Sequence, residues 1–254
     1  DHSSFFSPDD PNFVLWEKFE ALYGSDMVLI FAIASDRSNM VSPSGLRAIA
    51  SITEESWTLP LATRVSSLTN FQHSKAVDDN IEISDLYDPA AATEDMVTEE
   101  IMQVAASDPL VSGLLISKDL YSAAVYVTTS IERGDTESTA LVMRKARDVR
   151  DRIQHEYPDV SIGITGNIPL NYAFTEASLE DGMTLIPLMY AAMFLLCFWL
   201  LGTLKGTAYV FLTVALTVAS AMGFAGWLDY PITPLLAAVP MFLLIIALCD
   251  AIHL

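Results

Sequence analysis

Asp250 and His253 are the two side chains whose type and placement point to chemistry. Both lie in an otherwise apolar stretch, residues 235–254 (LLAAVPMFLLIIALCDAIHL). A carboxylate at the centre of a membrane helix costs at least about 2.5 kcal/mol, so intramembrane acids are rare and concentrate on proton and ion pathways. The three-residue spacing puts both groups on one helical face. Desolvation raises a buried carboxyl pKa, and a neighbouring cation lowers it again. Imidazole titrates near neutral pH without help. An aspartate–histidine pair in oil is therefore equipped to take up a proton on one side and release it on the other. Two other readings stay open. One is a structural polar contact, with Asp250 hydrogen-bonded to a neighbouring helix and His253 near the interface. The other is a zinc site, for which two ligands fall short of the usual set.

Other chemistry is poorly represented. His2, His73 and His155 share no motif and read as surface histidines. No G-x-S-x-G elbow exposes a serine nucleophile, and no glycine-rich loop is built to hold phosphate, which argues against direct use of ATP. Cys197 and Cys249 both fall in apolar stretches with no metal-type spacing. The pattern implies neither an enzyme nor a cofactor.

The elements that must position Asp250 divide the chain near Gly182. After it only Lys205, Asp229, Asp250 and His253 can carry charge, so 30 of the 32 acidic and 12 of the 13 basic residues precede it. Of the chain's net charge of -19, all but one unit therefore belongs to a polar domain, 1–182, which is followed by a membrane domain, 183–254. The acidic surface disfavours nucleic acid, whose phosphates it repels, and disfavours docking on anionic lipid. Spans are expected at about 183–203, 207–228 and 235–254, each close to the ~20 residues that a bilayer requires. The short link at 204–206 makes the first two antiparallel neighbours. Lys205, the basic residue of that link, places it in the cytoplasm and the large acidic domain outside. Tyr209, Trp227 and Tyr230 fit interfacial anchors or packed aromatics. Ala215, Ala219, Gly223 and Gly226 line the second span as small residues that allow close helix approach, either for tight packing or for a moving interface.

The polar part alternates strand and helix patterns. Residues 27–34 (MVLIFAIA) read as a buried strand, and Ser42 followed by Pro43 opens a helix as N-cap and first position. Residues 65–68 and 81–86 are short strands, and 94–106 form a helix. A hairpin is expected over 114–129 with its turn at Lys118 and Asp119. Residues 136–157 form an amphipathic helix with Val142, Ala146, Val149 and Ile153 on one side. Its charged side reads as a solvated face. A strand at 160–165 leads through Gly166 and Asn167 into a helix at 170–179 that points into the first span. This order suggests one α+β unit of ferredoxin-like, split βαβ type with an inserted segment near 70–95. The polar start, DHSSFFSPDDPN, shows no secretory signal, and the chain is expected to be a fragment at both ends.

Several segments together resemble the resistance–nodulation–division (RND) superfamily, especially the bacterial exporters of its MMPL and Patched-like branch. They are FFSPDDPN before a helix and MVLIFAIAS, SPSGLRAIASIT with VSSLTN, LLISKDLYSAAVYV, VSIGITGNIPLNYAF, and PITPLLAAVPMFLLIIALCDAIHL. The resemblance covers essentially the whole chain. It implies an extracytoplasmic (periplasmic), porter-like α+β domain followed by an all-α transmembrane bundle. The three spans would be the second to fourth of a six-helix half. It also implies a multi-pass protein of the bacterial inner membrane that exports hydrophobic or lipid-like molecules with the proton gradient. Its partners would be the lipid bilayer, protons, the remaining half of the transporter and, in some branches, further copies of itself. Asp250 matches the acidic residue of the family's fourth span, with His253 one turn on. Where relatives place a second acid next in sequence, this chain has Ala251. A non-transporting sterol or lipid sensor, or an accessory to protein secretion, are the alternatives within the same superfamily.

Overall fold

The computed structural model describes residues 9–23, 27–77, 80–87, 94–132, 134–229 and 234–253. His2, Tyr230 and the side chains of Cys249 and His253 lie outside the described residues. The chain divides into two compact units, one within Phe6–Tyr172 and the other within Ala173–Leu254.

The first unit opens with α1 (Pro11–Tyr23), whose first turn is capped by Asp10 accepting from the Asn12 amide at 2.8 Å. Strand β1 (Val28–Ala34) follows, then α2 (Pro43–Ser56), with Ser42 accepting from the Gly45 amide and proline at the first helical position. The chain continues through β2 (Ala62–Ser66), β3 (Gln72–Val77), β4 (Asn80–Asp85) and α3 (Glu94–Ser107). Strand β5 (Ser122–Thr129), α4 (Thr136–Glu156) and β6 (Ser161–Gly166) complete the unit.

Four strands form one antiparallel sheet in the order β2-β5-β1-β6, and β3 pairs with β4 as a separate hairpin. The β1–α2–β2 connection thus leaves room for β5 between its strands, and β5–α4–β6 leaves room for β1. Alternation along the strands decides which face is buried. Leu29, Phe31 and Ile33 of β1 and Ala123, Val125 and Val127 of β5 share a core with Leu46 and Ile49 of α2 and with Val142, Ala146 and Ile153 of α4. Helix α4 presents its apolar stripe as its periodicity requires, with its N-terminus capped by Asp135 through the Ser138 amide at 3.0 Å. The opposite sheet face, with Ile30, Ala32, Tyr126 and Thr128, stays half-buried or exposed.

Three sequence expectations shift in this unit. Strand β2 ends at Ser66 rather than reaching Leu68, because Ser67–Asn70 turn the chain. Asn70 accepts from the Ser67 amide at 2.7 Å and donates back to the Val65 carbonyl at 2.9 Å. The arm at 114–117 is not a strand. The Leu114, Leu115 and Ile116 amides turn back onto the Val111 carbonyl, so this arm keeps only a stub of ladder with β5, from Ser117 N to the Ser122 carbonyl and from Ala124 N to the Leu115 carbonyl. Strand β3 (QHSKAV) has no apolar alternation and was not expected. It forms because β4, expected as a strand, pairs with it from Gln72↔Asp85 to Val77↔Asn80.

The helices are α5 (Asn167–Leu201), α6 (Leu204–Trp227) and α7 (Pro234–His253). The helix at 170–179 and the first span are one continuous helix. A single glycine costs only ~1 kcal/mol in a helix interior, and Thr184 returns a hydrogen bond to the Glu180 carbonyl at 2.7 Å. Its 35 residues span ~52 Å at 1.5 Å each. That exceeds a ~30 Å hydrocarbon core, so the polar start, with Glu176, Glu180 and Asp181, projects beyond the apolar part. Helix α5 stops at Gly202, whose φ of +65° admits the left-handed turn while its amide closes on the Phe198 carbonyl. The break is therefore Gly202 and Thr203, and Leu204–Gly206 already belong to α6. Among the described residues, α5 and α6 are the helices long and apolar enough to cross a membrane.

Candidate functional site

Helix α7 carries Asp250 and His253 on one rigid element, three positions apart. It packs on α6 through Leu244 and Ala247. Their neighbours are Val210 and Val214 of α6 and Met193 and Cys197 of α5, which together form a small apolar core. Tyr190 and Phe194 meet Phe211 edge-on at centroid distances of 5.6 and 6.0 Å. At 100° per residue, Asp250 falls on the flank of the Leu244–Ala247 stripe rather than within it. Its side chain is exposed and makes no hydrogen bond or ion pair with a described residue. The carboxylate is therefore open to a group outside this bundle.

The buried face of α6 is Thr207, Val210 and Val214, at positions i, i+3 and i+7. Sequence reading did not single these residues out, because in a helix that is apolar all round no polar contrast marks the packed side. Thr207 satisfies its hydroxyl on the Thr203 carbonyl at 3.0 Å. The small residues stand elsewhere on the same helix: Ala215 is half-buried, and Ala219, Gly223 and Gly226 are exposed. A methyl group added at Gly223 or Gly226 would meet no atom within 4 Å.

The polar unit holds its own satisfied network rather than a reactive one. Thr53 donates to the Ile49 carbonyl at 2.7 Å and lies 2.9 Å from Ser67, which in turn donates to Asn70 at 3.0 Å. These buried hydroxyls tie α2 to the turn after β2. Asp135 is held below the usual carboxylate range by the Ser138 side chain and then by its amide. Asp119 is lowered by the Ser117 hydroxyl, with help from the Tyr121 amide. His73 and His155 belong to no cluster, and among the described residues no group of three or more His, Cys, Asp or Glu is placed to hold a metal ion.

A family model described as MMPL family matches residues 41–251, from just before α2 to the residue after Asp250. No curated protein matches the chain.

Proposed function

The chain belongs to the MMPL family of membrane transporters, and from that premise we propose that it is part of an exporter driven by the proton-motive force. Its cargo in this reading is hydrophobic or lipid-like, and its place is the bacterial inner membrane. The observation that carries the proposal is Asp250, an exposed carboxylate near the end of a 20-residue helix that, His253 apart, is otherwise apolar. Such a charge is costly in lipid unless a water-filled cavity or a partner receives it.

Helix α7 acts as a third span in this reading. Asp250 then stands about 24 Å from its Pro234 end at 1.5 Å per residue, past the middle of a ~30 Å core. Lys205 in the first turn of α6 sets the α5–α6 link in the cytoplasm, so the acidic unit faces the periplasm and Asp250 lies nearer the cytoplasmic side. Asp250 loads a proton and His253, one turn on, accepts or returns it, biasing α7 between two packings. Ala215, Ala219, Gly223 and Gly226 offer a close-approach surface to a helix of the remaining half of the transporter or of a second copy. The strand order β2-β5-β1-β6, with both crossovers split by a strand, supports a ferredoxin-like, porter-type domain.

The test is Asp250→Asn in the full-length protein, with proton-dependent efflux of a hydrophobic dye measured in membrane vesicles. Efflux should fall to background while expression and membrane insertion stay normal. Unchanged efflux would remove Asp250 from the coupling route.

A further inference from the structure

The sheet face left uncovered by α2 and α4 is not featureless. Over β2 and the edge of β5 it opens into a groove of about 840 Å³, within the roughly 300–1,000 Å³ of small-ligand sites. Its apolar wall includes Trp57, Leu110 and Leu114, which are 52%, 64% and 50% exposed. Large apolar side chains gathered on one exposed concavity mark a surface that binds something. Its floor carries polar groups in register: Arg64 stands opposite Thr128, and Ser66 opposite Tyr126. Arg64 is the basic residue of the lining, is exposed, and makes no hydrogen bond or ion pair with a described residue.

We propose that this groove binds a single-chain amphiphile with an anionic head group, the head on the Arg64 guanidinium and the chain along Trp57, Leu110 and Leu114. The guanidinium presents a planar fork matched to carboxylate or phosphate oxygens. Thr128 supplies a neutral donor beside it. Asp85, which enters the lining from the β3–β4 hairpin, repels an anion and so orients the head towards Arg64. An acidic protein that sets a cation with no partner among the described residues beside exposed apolar side chains selects for this combination of charge and grease. The site deepens the exporter reading by giving its lipid-like cargo an anionic end, and rests on that reading only for the identity of the cargo, not for binding itself.

The probe is a bromine-tagged medium-chain carboxylate, titrated against the full chain in nanodiscs of zwitterionic lipid. Trp16, Trp199 and Trp227 are replaced by phenylalanine, so that quenching reports Trp57. Saturable quenching is expected, weakened at least tenfold by Arg64→Gln. The matching uncharged alcohol should bind more weakly than the carboxylate and be indifferent to Arg64→Gln, whereas Leu114→Asp should weaken both. Both changes are at exposed positions, so the fold persists and binding is what they read. Equal carboxylate binding by Arg64→Gln, equally tight binding of the trimethylammonium analogue, or quenching that never saturates would overturn the proposal. Asp250→Asn leaves this binding intact, so loss of quenching with efflux preserved sinks the groove alone, and the converse sinks the exporter reading alone.

Discussion

Gly166→Ala puts a methyl group where the main chain has left no room. Gly166 ends β6 and leads directly into α5, with φ at +112°. It is also the last rung of the β1–β6 ladder, opposite Leu29. An added Cβ would overlap the Val28 carbonyl oxygen and lie 3.2 Å from its carbon and 3.4 Å from the Leu29 Cα. These are backbone atoms of a central strand, so they cannot swing aside as a side chain would. Holding an L-residue in that conformation costs about 1–3 kcal/mol. Relieving an overlap by shifting packed structure costs about 1–3 kcal/mol more. The sum, roughly 2–6 kcal/mol, is comparable with the whole stability of a domain, about 5–15 kcal/mol. Gly134→Ala separates the two contributions, since Gly134 has φ at +83° but no atom within 4 Å of its added Cβ. Only the backbone penalty, about 1–2 kcal/mol, applies there. The assay is urea-dependent proteolysis of the purified chain, read at a site in the polar unit. Gly166→Ala should lose at least about 2 kcal/mol and clearly more than Gly134→Ala. Equal losses in the two variants would refute the close-approach argument.

Other outcomes follow from the same packing. Phe31→Ala empties a fully buried position at the centre of the sheet and should cost about 3–5 kcal/mol in the same urea assay; a loss below 1 kcal/mol would mean the core is not built around β1. Thr53→Val removes the hydroxyl that joins Ile49 to Ser67 and should cost roughly 1–2 kcal/mol, whereas a neutral result would show the network to be dispensable. Asp135 titrates below its ordinary 3.8 in the folded chain because Ser138 stabilises its anion. The stability this contributes is present above that value and lost as pH falls through the lowered folded pKa. The advantage of the native chain over Asp135→Asn, measured by thermal unfolding from pH 6 down to pH 2, should therefore shrink only at the acid end; an advantage independent of pH would contradict the assignment.

Local patterns carried a good part of this architecture. The continuous apolar run MVLIFAIA, the Ser42–Pro43 start of α2 and the 3.6-residue stripe of α4 each depend on one segment's own polarity and capping chemistry. Their boundaries could therefore be read before any packing was known. The same holds for Asp250, since a charge inside an apolar run is visible in the run itself. Strand β3 and the arm at 114–117 were misjudged because their state depends on backbone partners that their own side-chain pattern does not show: β4 recruits QHSKAV, while the amides of LLIS turn back onto the Val111 carbonyl.

What the amino-acid sequence determined by itself, then, was the division into a charged unit and a greasy one, the caps and stripes of the helices, and the solitary acid in α7. Tertiary structure alone decided that β5 lies between β1 and β2, that α5 runs unbroken through Gly182, and that Thr207, Val210 and Val214 form the packed side of α6. The physical reason is the range of the forces involved. Periodicity and capping act within a turn or two of the chain. Strand order is settled by hydrogen bonds between residues such as Leu29 and Val127, about a hundred positions apart, and the packed side of a uniformly apolar helix is settled only by the shape of what it meets.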